Sequence, residues 1–185
     1  MAVKLLDGTG KHNREDHVLM VNINITDINE NGVVYGNTPE WMPIGEDNDE
    51  INRELNDELE ANKNVLGKTN IDHSAGAQTT EIDPYAIRGN DMLSAIFYNL
   101  FKYNLKGDKA TLQFMEVTLA DKYETTGETP TVSYGAFTEN AVVQLNSWGG
   151  DTTKLNSPVV LNWKGDRTHG TYSLSDNAFT PITAE

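Results

Sequence analysis

The residues that could do chemistry in this chain are its histidines, its serines and its many carboxylates. The histidines are His12, His17, His73 and His169, and no two of them stand at the HxxxH or hairpin spacing that a metal site needs. Asp72 and His73 are adjacent, but two isolated polar residues of this kind are typical of an exposed loop rather than of a metal site. We therefore expect neither a metal nor any cofactor.

Nucleophilic catalysis has equally little support. His169 and Ser173 stand four residues apart on a predicted strand, so both side chains point to one face, yet they are too far apart for direct proton transfer. No GxSxG motif holds a serine on a sharp turn between strand and helix. We predict no catalytic residue, and we predict that the protein is not an enzyme.

The carboxylates concentrate in one segment. Between residues 46 and 60 there is one base, Arg53, and there are eight acids: Glu46, Asp47, Asp49, Glu50, Glu54, Asp57, Glu58 and Glu60. The spacing of some of them echoes a calcium loop, but Ile51 and Asn52 occupy the positions where the sharp turn requires glycine. We expect an acidic, exposed loop over 46–66.

A helix is an alternative for the same segment. Ile51, Leu55 and Leu59 recur at four-residue intervals, which permits a one-sided helix starting near Asp49. The like charges on its outer face oppose that helix. Helix and mobile loop both stay open.

Composition narrows the class of protein. The chain has 185 residues and a net charge of −14, and because phosphate binding needs a basic face, this charge argues against a protein that grips nucleic acid. The absence of cysteine excludes disulfides and thiolate metal sites. No run approaches the roughly 18 apolar residues of a membrane span, and the first residues lack the apolar core of a signal peptide. We expect no membrane association, and folding in a cytoplasm.

One helix is predicted with a clear apolar stripe. We expect it over about residues 91–103, with Asn90 or Asp91 capping its start and Gly107 just past its end. A stripe this broad is typical of a helix that covers a sheet. Its six apolar residues are predicted to lie in the core: Met92, Leu93, Ile96, Phe97, Leu100 and Phe101.

The rest of the chain reads as short strands separated by turns. The run HVLMVNINITD alternates as one strand from residue 17, Asn31-Gly32 predicts a tight turn, and 40–44 predicts a further short strand. Strands over 158–180 end the chain, with Val159, Leu161 and Trp163 facing the core. The fold class is therefore β-rich α+β, a β-sandwich or barrel with one flanking helix. Residues 1–16 are expected to form an arm, free or docked on a neighbour, before a single domain over 17–185.

Tryptophans offer one more candidate site. Trp41, Trp148 and Trp163, with seven tyrosines, could line a sugar-binding face. On alternating strands such residues are more often anchors of a core or an interface.

Four stretches resemble, as an ordered set, the major tail tube proteins of long, non-contractile-tailed bacteriophages, particularly those of Gram-positive hosts. They are EWMPIGED, TTEIDPYAIRGNDMLSAIFYNLFKYN, LQFMEVTL and WGGDTTKLNSPVVLNWKGDRTHGTYSLSDNAFTP, and together they span about residues 38–181. The first 37 residues match the family less well.

This resemblance implies a six-fold ring of subunits, stacked into a hollow tube through which the phage genome passes. The implied partners are further copies of the chain and other tail proteins, namely a tape measure, a tail terminator and a distal tail protein, with the virion tail as the location. DNA would pass without specific binding, because acidic side chains on the lumen repel phosphates. On this view the segment 46–60 orders when it stacks on an adjacent ring. The alternatives are a carbohydrate- or host-binding virion module and the tube of a phage-derived bacteriocin.

Overall fold

The computed structural model describes residues 4–8, 11–45, 50–124 and 131–182. Over these ranges the chain is β-rich with one α-helix, as predicted, and its strands pair antiparallel. The helix, α1, spans Met92–Lys102, and short 3-10 turns lie at Arg14–Asp16 and Gly107–Ala110. The strands are β1 (His17–Asn22), β2 (Ile25–Asn29), β3 (Gly32–Tyr35), β4 (Trp41–Pro43), β5 (Arg53–Glu54), β6 (Glu58–Lys63), β7 (Thr69–Ser74), β8 (Thr79–Ala86), β9 (Thr111–Glu124), β10 (Val132–Leu145), β11 (Gly149–Gly150), β12 (Leu155–Trp163), β13 (Thr168–Ser173) and β14 (Ala178–Pro181).

Two long strands, β9 and β10, form the centre of the main sheet. On the far side of β9 lie β1 and then β4. On its other edge β10 divides its partners: Ala141–Leu145 pair with β12, which leads to β8 and β5, while Tyr134–Thr138 pair with β13, which leads to β14. This fork is consistent with the predicted sandwich-like fold.

A β-bulge bends the central pair near the fork. Tyr134 pairs with Lys122 but Gly135 pairs with Thr118, so the register shifts here and β9 contains extra residues between two consecutive pairs. A Cβ at Gly135 would lie 1.8 Å from Asp121 Oδ2, so any other residue there must displace the Asp121 side chain.

The bulge also receives the N-terminal segment. The Asp7 amide donates to the Ala120 carbonyl (2.6 Å), and Lys4 Nζ donates to Asp121 Oδ1 (2.7 Å) while lying 3.4 Å from the centre of the Tyr123 ring. The described part of the predicted arm thus contacts β9 of its own chain.

The main core lies between one face of the sheet and α1. Leu93, Ile96, Phe97 and Leu100 are buried there as predicted. The prediction is wrong for the other two residues of the stripe, because Met92 is 47% exposed and Phe101 is 49% exposed. Each lies about a quarter turn from the centre of the buried stripe, so the face that meets the sheet is narrower than the apolar pattern.

The ends of α1 are set by local polar contacts. Asp91 is the N-cap, and its Oδ2 accepts from the Ser94 amide (2.9 Å) and from the Tyr85 hydroxyl (2.6 Å). At the other end Asn104 has a φ of 50°, a left-handed conformation that stops the helix before Gly107.

The C-terminal strands complete both cores. Val159 and Leu161 are fully buried in the main core, and Trp163 is partly buried at its margin, where its Nε1 donates to Thr80 Oγ1 (2.9 Å). On the opposite face of the sheet, β13 and β14 cover a smaller core made of Met20, Trp41, Met115, Val117, Ala136 and Tyr172.

The predicted first strand is in fact two strands. β1 ends at Asn22, and β2, which begins at Ile25, pairs only with β3 in a separate two-stranded sheet. The Asn22 Oδ1 accepts from the Asn24 amide (3.0 Å), a local contact that turns the chain out of the main sheet. The turn predicted at Asn31-Gly32 is confirmed between β2 and β3, with Gly32 at a φ of 126°.

Candidate interaction surfaces

A buried ionic cluster centred on Arg53 joins the edge strand β5 to the middle of the sheet. Arg53 Nη1 lies 2.6 Å from Glu116 Oε1 on β9, and Nη2 lies 2.6 Å from Glu139 Oε2 on β10. Its Nε donates to Gln78 Oε1 (2.8 Å), and its guanidinium lies 4.1 Å from the centre of the Trp163 ring. One side chain therefore links four parts of the chain.

The remaining carboxylate oxygens of this cluster have partners too. Glu116 Oε2 lies 2.9 Å from His17 Nε2, the Glu139 Oε1 accepts from the Gly165 amide (2.8 Å), and Arg167 Nε donates to Glu139 Oε2 (3.0 Å). Burial by itself would raise the pKa of Glu116, but hydrogen bonds from His17 and Arg53 and the charges of both hold that pKa below its usual value. All four carboxylate oxygens are engaged, so the cluster has a structural role: it holds β5 against β9 and β10. We name it the Arg53 tie.

The tie fixes the base of a hairpin formed by β6 and β7. Asn56 adopts a left-handed φ of 53° just before β6, and its Nδ2 donates to the Ala77 carbonyl (2.8 Å) just after β7. The Asp57 Oδ1 accepts from the Gly76 amide (3.1 Å), and His73 Nε2 lies 3.3 Å from Asp57 Oδ2. These contacts hold the two ends of the hairpin together where it extends from the rest of the domain.

Beyond this base the β6–β7 hairpin lies open to solvent. It is a sheet of two strands, separate from the main sheet, and all twelve of its strand residues are exposed. Leu59 pairs with His73 and Ala61 with Ile71, so these side chains share one face, while Glu58, Glu60 and Asp72 share the other. The hairpin is therefore amphipathic, and its more apolar face, which also carries Lys63 and Thr69 near the tip, is in contact with water.

The tip of the hairpin is apolar as well. Val65 is fully exposed and Leu66 is 79% exposed. The turn is nonetheless well bonded, because Asn64 Oδ1 accepts from the amides of Leu66 and Lys68 (both 3.0 Å) and Gly67 takes a left-handed φ of 78°. Two aliphatic side chains are thus held in water at the end of an ordered turn.

A second apolar surface lies on the outer side of α1, and we name it the helix groove. It has a volume of about 590 Å³, and its apolar lining is contributed by Ile87, Met92, Ala95, Tyr98, Trp148 and Leu155. Trp148 stacks on Phe101, with ring centres 4.9 Å apart and planes 6° apart, and its ring centre lies 6.1 Å from that of Tyr98. Met92 and Phe101, which were predicted to be buried but are exposed, thus contribute to this surface or its border.

A third surface is the side of β8, β12 and β10 that faces away from α1, and we name it the open sheet face. Val160 pairs with Gln144 on one side and with Glu81 on the other, so the three side chains share this face. Its residues are partly or fully exposed, and none is lysine or arginine: Thr79, Glu81, Asp83, Val142, Gln144, Val160 and Asn162.

The acidic residues of the sequence prediction fall in several environments. Glu46, Asp47 and Asp49 lie outside the described residues. Glu50 precedes β5 and Glu54 belongs to it, Asp57 anchors the hairpin base, and Glu58 and Glu60 lie on the acidic face of the hairpin. In the described part the helix prediction is wrong and the loop prediction holds only in part: residues 50–52 and 55–57 are irregular, whereas Arg53–Glu54 and Glu58–Lys63 form strands.

Glu116, Glu139 and Arg53 were not predicted to form a cluster. A signal was present, since Glu116 interrupts an apolar strand on the same face as Leu112 and Phe114, and a carboxylate in such a position needs a cationic partner. The identity of that partner could not be read, because Arg53 is 63 residues away along the chain.

Within the described ranges, no group of three or more histidine, aspartate or glutamate side chains is placed so as to hold a metal ion. The helix in the same part of the chain lacks the length and apolar character needed to span a bilayer.

Comparison with known proteins does not assign a family. No protein-family model, no curated protein and no solved structure matches this chain.

Proposed function

We propose that this chain is a structural subunit that assembles with copies of itself, as do the major tail tube proteins that parts of its sequence resemble. In that role it forms stacked, six-fold rings in a virion tail, and its partners beyond itself are the tape measure, terminator and distal tail proteins. The genome passes through the tube.

The observation that carries the proposal is the exposed, amphipathic β6–β7 hairpin. An isolated two-stranded hairpin is at best marginally stable in water, and burying a side chain such as Leu59 or Ile71 contributes roughly 1.5–3 kcal/mol. The hairpin therefore gains most when a partner covers its apolar face. The helix groove is a second apolar surface on the same chain, which supports self-association.

The open sheet face supports the tube in particular. Its charged residues are Glu81 and Asp83, both exposed. If this face lines the lumen, the carboxylates repel the phosphates of passing DNA, so the nucleic acid moves without adhering. The bacteriocin tube named above would use the same assembly without a genome.

A carbohydrate-binding virion module is the second candidate, and the helix groove favours it. Tyr98, Phe101 and Trp148 form an accessible aromatic cluster, the kind of surface on which sugar rings stack. A module of this type would stay monomeric and bind glycans in the groove.

Imaging of the purified protein separates the two candidates. We expect negative-stain micrographs to show rings or tubes, and light scattering behind a sizing column to show a mass that rises with protein concentration. A monomer at every concentration, with glycan binding that a Trp148→Ala variant loses, would replace the first candidate with the second.

A further inference from the structure

We propose that the apolar face of the β6–β7 hairpin of one copy packs into the helix groove of a second copy. The proposal rests on the proposed function, because it requires two copies to meet, and it identifies the pair of surfaces through which they do so.

The apolar character of the two surfaces matches. The hairpin offers Leu59 (66% exposed) and Ile71 (64% exposed) on one face, with Val65 and Leu66 at its tip. The groove offers Met92, Tyr98 and Leu155, which are between 40% and 49% exposed. Its volume of about 590 Å³ falls within the roughly 300–1,000 Å³ of sites that enclose drug-sized ligands, so it has room for several aliphatic side chains.

The charges that border the two surfaces are complementary. Carboxylates dominate the other face of the hairpin, at Glu58, Glu60 and Asp72. Charges of both signs lie around the groove: Asp91 and Arg88 are in its lining, Lys102 is on the last turn of α1 and Lys154 is next to Leu155. The hairpin carboxylates point away from the groove, and the charged residue on the docking face of the hairpin strands is Lys63, which would meet Asp91 of the groove lining. Opposite charges at the rim favour encounter and orientation.

The hairpin is prepared for docking because its base is already ordered. The Arg53 tie and the hydrogen bond from Asn56 to the Ala77 carbonyl hold its origin, and Asn64 orders its tip. Six residues per strand give it a reach of roughly 20 Å. An ordered element loses little conformational entropy on binding, so most of its apolar burial contributes to affinity.

The pairing of unlike surfaces has a consequence for the assembly. A copy that donates its hairpin keeps its own groove free for the hairpin of another copy. Contacts of this heterologous kind repeat from copy to copy, and they close into a ring or continue along an axis. A symmetric dimer would instead bury the same surface of both copies.

Cross-linking between two single-cysteine variants tests the pairing, since the chain has no native cysteine. One variant carries Ile71→Cys on the hairpin, and the other carries Leu155→Cys in the groove with a tag that changes its mass. Both positions are exposed, so both variants should fold. On mixing with a short bismaleimide we expect a product that contains one chain of each kind.

The matched control moves the hairpin cysteine to the opposite face. Asp72→Cys is next to Ile71 but points away from the apolar face, so its yield with Leu155→Cys should be about tenfold lower. Equal yields from the two hairpin positions would overturn the proposed docking.

The remaining outcomes separate this inference from the proposed function. Rings or tubes that form without the Ile71–Leu155 product would overturn the docking and leave self-assembly standing. A chain that stays monomeric would overturn both. Two further outcomes would reject a second copy as the occupant of these surfaces. One is a cross-link that forms only when both cysteines are placed in the same chain. The other is flotation of the protein with phosphatidylcholine vesicles through its hairpin tip.

Discussion

Arg53 is the residue on which the attachment of the hairpin depends. We predict that Arg53→Met lowers the free energy of unfolding by about 3–5 kcal/mol, because it leaves Glu116 and Glu139 buried without their shared cation. Urea denaturation at neutral pH measures this loss. Lys63→Met, a charge removal of the same kind on the exposed hairpin, should change stability by less than about 0.5 kcal/mol.

The same cluster predicts a dependence on pH. The pKa of Glu116 is depressed in the folded protein, so its ionised form stabilises the fold above the unfolded value of about 4.3, and this contribution is lost as the pH falls through the lower folded value. A protonated Glu116 no longer needs the arginine. The stability difference between wild type and Arg53→Met should therefore shrink as the pH falls from about 5 to about 3. A difference that stays constant over this range would show that the arginine acts only through packing.

At the residue scale the sequence allowed the burial pattern of α1 to be predicted in part. Leu93, Ile96, Phe97 and Leu100 could be assigned because the helical period places them together. Met92 and Phe101 could not be separated from them, since periodicity records which residues are apolar and does not record how wide the covering sheet is. The Trp148 ring that stacks on Phe101 comes from a distant part of the chain.

At the scale of elements, the hairpin shows where local patterns mislead. Ile51, Leu55 and Leu59 stand at helical spacing, yet they belong to three different environments: a buried core position, an exposed connection and a strand. Residues 58–63 form a strand because they pair with residues 69–74, as Leu59 does with His73. In so acidic a segment such a strand shows only a weak alternation of apolar and polar residues in the sequence. The long strands β9 and β10 were easier, because their apolar residues alternate over many positions.

Gly76 is the residue that lets the two sides of the hairpin base cross. A Cβ there would lie 1.6 Å from the Asn56 carbonyl oxygen, so Gly76→Ala must displace the backbone. We predict a loss of about 1–3 kcal/mol and faster amide hydrogen exchange across β6 and β7, with exchange in α1 unchanged. Hydrogen exchange read by mass spectrometry resolves the two elements.

Gly89→Ala is the matched control for this substitution. A Cβ at Gly89 meets no other atom within 4 Å, so the variant should behave as the wild type does. If both alanine variants left the exchange of β6 and β7 unchanged, the crossing at Asn56 would not be what holds the hairpin.

At the scale of the whole molecule, the net charge of −14 must be compatible with self-assembly. Every added copy brings the same charge, so assembly is opposed by repulsion that salt screens. The structure concentrates carboxylates on one face of the hairpin and on the open sheet face, while the other hairpin face and the helix groove expose apolar side chains. Contacts can therefore form through apolar surfaces while the charge remains in water.

The open sheet face yields a test of the tube that does not depend on how the copies dock. We predict that Glu81→Lys with Asp83→Lys makes assembled protein retain DNA in a gel-shift or filter-binding assay, because the lumen then attracts phosphates. Retention should fall steeply as salt is raised, since binding of this kind is driven by counterion release. Glu30→Lys with Glu40→Lys changes the net charge by the same amount at exposed positions away from this face, and it should leave assembled protein unable to hold DNA against the same salt. Equal retention by the two double variants would mean that overall charge governs DNA binding and that the open sheet face does not line the channel.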